Sequence, residues 1–215
     1  MYQEIVADIA FAVEKEKRKE SDVNLLVVSK TFSAADIVPI LDQGARIFGE
    51  NRVQEAQNKW PELKQKYENV ELHLIGPLQS NKTAEAVALF DVIHTVDRKK
   101  IADYIAAEQI KQNRQLQLFI QVNIGNEPQK AGVSLDGLAD FYAYCTDEKQ
   151  LNIIGLMCIP PAQNDSGPYF SLLYKNAKKL GIEGLSMGMS ADFKTAIRLG
   201  ATYVRVGSAI FGKRG

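Results

Sequence analysis

The sequence predicts an α/β fold, a single-domain (β/α)8 TIM barrel with an extra N-terminal helix. Eight short apolar segments alternate with segments of helical pattern, which is the order of elements in a parallel barrel. No linker rich in Pro, Gly or Ser and no shift in composition divides residues 1–215, so we expect one domain. An open doubly wound sheet is the alternative, but the GxGxxG pattern that follows its first strand is absent.

Each element follows from a local pattern. Apolar residues recur at helical spacing over residues 2–19, at Ile5, Ile9, Ala12 and Val13, and predict a lead-in helix with a charged, solvated end. The eight predicted strands are 24–29, 46–48, 71–75, 91–95, 116–123, 151–156, 184–186 and 202–206.

Helix boundaries are predicted from caps. Ser33 and Asp36 form a capping-box pattern at the start of the helix after the first strand. Ser190 is predicted to be the N-cap of the helix after the seventh strand. Gly44 and Gly200 are expected to end two helices.

The composition bears on the partners and the compartment of the protein. The 26 basic and 26 acidic residues cancel, which leaves no overall field to attract nucleic acid or an anionic membrane. The N-terminus lacks a signal-peptide pattern, and no apolar run is long enough to span a bilayer. We expect a cytoplasmic, monomeric protein with no nucleic-acid or membrane partner. Cys145 and Cys158 have neither CxxC spacing nor a paired His, so buried reduced thiols and no metal site are predicted.

Lys30 ends the first apolar strand, where a primary amine has no ordinary structural role. By alternation it shares a face with Leu26 and Val28, so its amine points toward the interior that those side chains line. The strand position alone favours a lysine just past the strand that reaches water. The residues after the last two strands change this interpretation.

Those residues form a candidate phosphate site. In a barrel the loops after strands 7 and 8 commonly bind phosphate, and here they contain Ser190, Gly207 and Ser208 at two helix N-termini. Taken singly, Ser190 is an ordinary N-cap and Gly207 an ordinary turn residue. Their joint position after adjacent strands favours a site for one phosphate group.

Arg205 lies inside the eighth predicted strand, on the face opposite Val204 and Val206. If that face is the barrel interior, the buried charge needs a partner. Either a ligand or a structural carboxylate would supply one.

An amine after strand 1, a phosphate cup after strands 7 and 8 and a nearby arginine describe a pocket for a phosphorylated aldehyde. Pyridoxal 5′-phosphate fits, with Lys30 forming a Schiff base and Arg205 beside the pyridine nitrogen. An arginine there disfavours protonation of the ring nitrogen and so weakens the ring as an electron sink. This argues against aminotransferase-type chemistry.

Six segments spread over nearly the whole chain resemble one known family. They are 27–30 (VVSK), 48–55 (FGENRVQE), 73–82 (HLIGPLQSNK), 155–157 (GLM), 185–192 (LSMGMSAD) and 204–212 (VRVGSAIFG). The family is that of the pyridoxal phosphate homeostasis proteins of the YggS/PROSC type, whose fold is similar to the barrel domain of bacterial alanine racemase. The resemblance implies that Lys30 is linked to the cofactor and that Arg205 contacts the ring nitrogen. It also implies that the phosphate is held by Ser190, Gly207 and Ser208.

Two further residues are candidates for cofactor binding. Asn51 follows the second strand and is expected to hydrogen-bond the ring or its hydroxyl, with a helix cap as the alternative. Met157, after the sixth strand, is expected to pack near the cofactor, with a place in the core as the alternative.

Other polar residues in the matched segments are interpreted as structural or solvated. His73 and His94 lie in apolar strands and are expected to be structural histidines. Glu50, Arg52 and Glu55 are expected to form a solvated network or a network at the rim of the site.

The resemblance implies a function without catalysis. The hypothesis is a carrier that buffers pyridoxal phosphate, hands it to apoenzymes and affects the balance of amino and keto acids. A small racemase or lyase is the alternative, but none of the eight tyrosines lies in a motif that matches the opposing acid of the racemase. A third hypothesis is an aldolase-like barrel in which Lys30 reacts with a sugar phosphate.

Overall fold

Eight parallel strands close into a barrel in chain order, with β8 paired to β1. The computed structural model describes residues 1–162 and 164–212. The strands are β1 (Asn24–Val28), β2 (Ile47–Glu50), β3 (Glu71–Leu74), β4 (Val92–Val96), β5 (Gln117–Val122), β6 (Ile153–Cys158), β7 (Gly184–Met189) and β8 (Tyr203–Val206). This confirms the predicted barrel.

Helices cover the outside of the barrel. They are α1 (Tyr2–Lys15), α2 (Ala34–Asp42), α3 (Val53–Gln57), α4 (Trp60–Lys66), α5 (Thr83–Leu89), α6 (Lys99–Gln112), α7 (Leu138–Ala143), α8 (Gly167–Leu180), α9 (Phe193–Arg198) and α10 (Ser208–Phe211). Short 3-10 turns occupy Glu20–Asp22 and Ser80–Lys82, and a π-helical segment, Tyr144–Glu148, continues α7. No helix in the described ranges has both the length and the apolar character needed to cross a membrane.

The extra N-terminal helix is also confirmed. α1 buries Ile5, Ile9, Ala12 and Val13 and packs against α9 and α10. It ends at Lys15, four residues earlier than predicted, because the charged run that follows has no apolar side chain to bury.

Aromatic rings fill part of the barrel interior. His94 stacks on Phe119 with ring centroids 4.3 Å apart, and Tyr203 meets both rings edge-on. His73 packs against His94 and Tyr203. Since these rings close the interior around β3, β4, β5 and β8, open space remains toward the carboxyl ends of the strands.

The predicted bounds of the sixth and seventh strands, 151–156 and 184–186, are wrong. β6 begins at Ile153 and reaches Cys158, so Met157 lies within the strand and not after it. β7 continues to Met189 through Gly188, which has a φ of +91°, a value that glycine adopts readily. The predicted strand ended before Gly188 because a glycine in a short apolar run often marks the end of a strand. In the structure, Gly188 instead allows β7 to pass close to α9.

The predicted N-cap at Ser190 is wrong as well. α9 begins at Phe193 with Asp192 as its N-cap residue. The Asp192 carboxylate accepts a hydrogen bond of 2.7 Å from the Met189 N–H, and the Asp192 N–H donates to the Met189 carbonyl. This closed turn delays the helix, so Ser190 lies in the turn before it.

The prediction that both cysteines are buried thiols is confirmed. Cys145 and Cys158 are free and buried. Burial raises the pKa of both thiols to about 12, so they are protonated at neutral pH.

Candidate functional site

A cavity of about 400 Å³ lies at the carboxyl ends of β1, β2, β7 and β8. It brings together six of the seven predicted cofactor residues, namely Lys30, Asn51, Ser190, Arg205, Gly207 and Ser208. The apolar part of the wall includes Val28, Phe32, Ile75, Ile159 and Met189. The size, concave shape and mixture of apolar walls with a few polar groups are typical of a small-molecule site.

Lys30 is two residues beyond the end of β1 and lines the cavity. It is half-buried, while Leu26 and Val28 on the same face of the strand are buried. The predicted direction of the side chain, toward the barrel interior, agrees with its place in the cavity wall.

Arg205 is buried inside the barrel, but its partners are not carboxylates. One guanidinium nitrogen, Nη1, donates to the carbonyl and to the hydroxyl of Ser186, at 2.7 and 2.8 Å. The other, Nη2, donates to the Cys158 carbonyl at 2.8 Å. Within the described residues Arg205 makes no ion pair, so the structural carboxylate that was one alternative is not found there. Burial lowers the pKa of Arg205 from its ordinary value, but an arginine side chain stays charged.

The bonds of Arg205 leave part of its donor capacity open. A guanidinium has five N–H groups, and the three bonds above use three of them. Arg205 also lines the cavity, so a ligand there could accept a hydrogen bond from the guanidinium.

A chain of hydrogen bonds continues from Arg205 through the barrel. Ser186 Oγ is 2.8 Å from His94 Nδ1, and His94 Nε2 is 2.8 Å from His73 Nδ1. His73 Nε2 is 2.6 Å from the carboxylate of Glu71 at the start of β3. The histidines therefore have the structural role that was predicted, and they also support Arg205, which was not predicted.

The electrostatics of this chain follow from burial. Burial lowers the pKa of His73 and lowers that of His94 well below its ordinary value, against the pull of Glu71 on His73. The hydrogen bond from His73 lowers the pKa of Glu71. At neutral pH the chain therefore consists of two neutral imidazoles between a cation and a carboxylate.

The candidate phosphate cup has two hydroxyls and the start of a helix. Ser208 Oγ donates to Ser190 Oγ at 3.2 Å, so the two hydroxyls converge across the ends of β7 and β8. Gly207 is the N-cap residue of α10, and the first N–H groups of a helix have no acceptor within it. A side chain at Gly207 would place a Cβ 3.0 Å from the Val28 carbonyl oxygen. Glycine at this position therefore lets α10 begin close to β1. The two hydroxyls and the helix N–H groups are donors that fit a phosphate group, and the lysine and arginine fit the rest of pyridoxal phosphate.

The predictions that Asn51 and Met157 lie at the cofactor have different outcomes. Asn51 lines the cavity, and Arg52, not Asn51, is the N-cap residue of α3, so the helix-cap alternative is wrong. Met157 does not line the cavity. It is 1% exposed and clusters with Val92 and Phe119, which agrees with the core alternative.

The expectation that Glu50 is solvated is wrong. Glu50 is fully buried and accepts hydrogen bonds from Ser29 Oγ, Trp60 Nε1 and Lys59 Nζ. Burial raises its pKa, and these three contacts pull the pKa down. The alternation of β2 signals this, because it places Glu50 on the same face as the buried Phe48.

The fold and the cavity define a single-domain barrel protein with a cavity of small-molecule size at the carboxyl ends of its strands, lined in part by a lysine, an arginine and two serines. A family model described as alanine racemase, N-terminal domain, matches residues 8–215. The pyridoxal phosphate homeostasis protein of Pasteurella multocida (strain Pm70) is 39% identical, over 98% of this chain and 95% of that protein. The protein of the same name from Aquifex aeolicus (strain VF5) is 37% identical, over 98% and 95%.

A solved structure agrees with these relatives. PipY of Synechococcus elongatus PCC7942, with PLP bound, has a TM-score of 0.84 and 34% identity, over 95% of this chain and 100% of PipY. The chain therefore belongs to the alanine racemase N-terminal domain family and, within it, to the pyridoxal phosphate homeostasis proteins.

Proposed function

We propose that this protein binds pyridoxal 5′-phosphate as a Schiff base on Lys30. It would act as a non-catalytic carrier that buffers the cofactor, hands it to apoenzymes and so contributes to the balance of amino and keto acids. The observation that carries the proposal is the convergence of an amine, a guanidinium and two hydroxyls in one cavity of suitable size. The PLP named in the structure of PipY supports the same ligand.

The residues of the cavity divide the binding between them. Lys30 would supply the amine for the Schiff base with the aldehyde. Ser190, Ser208 and the first N–H groups of α10 would hold the phosphate. Asn51 would orient the ring by a hydrogen bond. When bound, the cofactor supplies a reactive aldehyde on an electron-withdrawing ring.

Arg205 argues against aminotransferase-type chemistry and in this way supports a carrier. Beside the ring nitrogen, a charged guanidinium would donate a hydrogen bond and would oppose protonation of that nitrogen. A ring without that proton is a weaker electron sink, so carbanion chemistry at a bound amino acid is disfavoured.

The composition of the cavity wall also supports a carrier. Among the described residues that line it, Lys30 and Arg205 are the ionisable ones, and no Tyr, His, Cys, Asp or Glu is present. A racemase needs an acid and a base on opposite faces of its substrate. The described residues of the wall provide Lys30 as an acid or base for one face of a substrate, and they provide no second acid or base for the opposite face.

The absorption spectrum of the purified protein, loaded with pyridoxal phosphate, tests the proposal. We expect a yellow protein that borohydride bleaches, with a pyridoxyl adduct on Lys30 by peptide mass spectrometry. Lys30→Ala should lose the adduct. Lys64→Ala is the matched control, since Lys64 pairs with Asp91 away from the cavity. A protein that stays colourless would overturn the proposal and favour the sugar-phosphate aldolase.

Two further measurements separate a carrier from an enzyme. With common amino acids, a racemase or lyase would exchange the Cα hydrogen with solvent deuterium in a Lys30-dependent way, and a carrier would not. A carrier should also activate a PLP-dependent apoenzyme when a scavenger removes free cofactor. Cα exchange would make the racemase or lyase the better hypothesis.

A further inference from the structure

The short turn that carries Lys30, residues 29–32, is strained. We refer to it as the lysine turn. Thr31 has a φ of +69°, in the left-handed region that β-branched residues rarely adopt. A conformation of this kind persists only where the surroundings hold it, and it is found most often at functional sites. The contacts of this turn are therefore informative.

Lys59 makes the first set of these contacts. Its ammonium Nζ donates to the carbonyl of Ser29 at 3.1 Å and to the carbonyl of Phe32 at 2.9 Å. These are the first and last carbonyls of the lysine turn. Lys59 is only 7% exposed, so a buried cation ties both ends of the turn together.

Two carboxylates complete the arrangement. Glu50 and Glu55 lie 2.9 and 3.2 Å from Lys59 Nζ. Glu50 also accepts a hydrogen bond of 2.6 Å from the Ser29 hydroxyl, and Glu55 accepts one from the Thr31 N–H. The strained residue Thr31 and the first residue of the turn, Ser29, are thus bonded to the same ion network.

We propose that Lys59, with Glu50 and Glu55, is a positioning residue that holds the lysine turn in its strained form and so aims the Lys30 amine into the cavity. Lys59 is not among the residues that line the cavity, so it acts through the turn. The inference deepens the proposed function and rests on it for the reaction of Lys30. The network also gives a role to the segment 48–55, which the cavity uses only through Asn51.

The first test uses the protein without cofactor. Lys59→Met keeps the aliphatic stem and removes the charge. Hydrogen exchange of the Thr31 amide, followed by NMR, should become at least tenfold faster. Lys64→Met, which removes an ion-paired lysine from the helix α4 that Lys59 precedes as N-cap residue, should leave the exchange rate unchanged. Equal exchange in the wild type and Lys59→Met would overturn the proposal.

The second test separates positioning from binding. In Lys59→Met the rate of Schiff-base formation with pyridoxal phosphate should fall at least tenfold. The affinity for pyridoxine 5′-phosphate, which has an alcohol in place of the aldehyde, should change less than threefold. A parallel loss of both would show a general disturbance of the cavity and contradict the proposal.

Rescue is the most specific test. Glycine adopts a positive φ without strain, so Thr31→Gly in the Lys59→Met background should restore Schiff-base formation to within threefold of the wild type. No recovery would contradict the proposal. If Lys59→Met does not fold, Glu55→Ala, whose carboxylate is partly exposed, should show the same faster Thr31 exchange.

The outcomes distinguish the two proposals. A wild-type protein that forms no Schiff base defeats the proposed function. Faster Thr31 exchange in Lys59→Met, with slower acylation of Lys30 by acetic anhydride, would still support the positioning role. Unchanged exchange together with normal Schiff-base formation would defeat the positioning role alone.

Discussion

At the scale of residues, the buried hydrogen bonds have only one consistent direction. Arg205 only donates, so Ser186 Oγ accepts from it and turns its own hydrogen toward His94 Nδ1. His94 then donates from Nε2 to His73 Nδ1, and His73 donates from Nε2 to Glu71. Along the chain, each group donates its hydrogen bond to the next group away from the cavity, from the arginine cation to the glutamate carboxylate. The bonds at Ser186 hold the guanidinium of Arg205 in place.

This direction predicts the tautomers of both histidines. In 15N NMR spectra at neutral pH, His73 and His94 should be neutral, with hydrogen on Nε2 and none on Nδ1. Ser186→Ala removes the donor to His94 Nδ1 and should change the tautomer populations of His94. An Nδ1–H signal from either ring in the wild type would show that the assigned direction is wrong.

At the scale of elements, the close approach of β7 to α9 positions one side of the cavity. A Cβ at Gly188 would lie 2.5 Å from the Ala196 Cβ and 3.1 Å from the Phe193 Cα. Only glycine allows this approach together with its positive φ. The strand then ends at Met189, and Ser190 reaches the cavity wall.

Two glycine substitutions separate the cost of backbone strain from the cost of steric overlap with α9. Gly181→Ala, at a φ of +70° with open space around it, should cost about 1–2 kcal/mol of unfolding free energy from backbone strain alone. Gly188→Ala should cost about 1–3 kcal/mol more, because the added methyl group also overlaps α9. Urea unfolding measures both. Equal costs would contradict the close packing of β7 on α9.

At the scale of the whole molecule, folding places both histidines of the chain inside the barrel. The sequence contains two histidines, and both are fully buried. In the folded protein they stay neutral below their ordinary pKa of 6.5, whereas the unfolded chain binds protons there. Below about pH 6.5 the unfolded state binds more protons, so stability falls as the pH falls.

The pH dependence of unfolding tests this. Between about pH 5.5 and 6.5 the free energy of unfolding should fall by up to about 1.4 kcal/mol per pH unit for each histidine. Glu50, whose pKa burial raises, acts in the opposite direction. The double variant His73→Gln/His94→Gln keeps Glu50 and should lose the histidine part of the slope. Identical slopes in the two proteins would contradict the linkage.

Local sequence patterns predicted many of the residues that line the cavity, but not the hydrogen-bond networks that hold Lys30 and Arg205 in place. Alternation along β1 and β8 correctly aimed Lys30 and Arg205 at the interior, because side-chain direction in a strand depends only on its period of two. The N-cap at Ser190 was wrong because Asp192, two residues later, closes a turn with Met189. Local propensity does not decide between two capping residues that are only two positions apart.

The sequence by itself determined the order of the eight strands, the alternation with helices and six of the residues that line the cavity. Only the tertiary structure decided which groups meet there. His94 and Ser186 are 92 residues apart in the chain, and Lys59 reaches Ser29 across 30 residues. Periodicity gives each side chain a direction, but its partner depends on how far neighbouring strands are shifted when the barrel closes, and that shift is a property of the whole sheet.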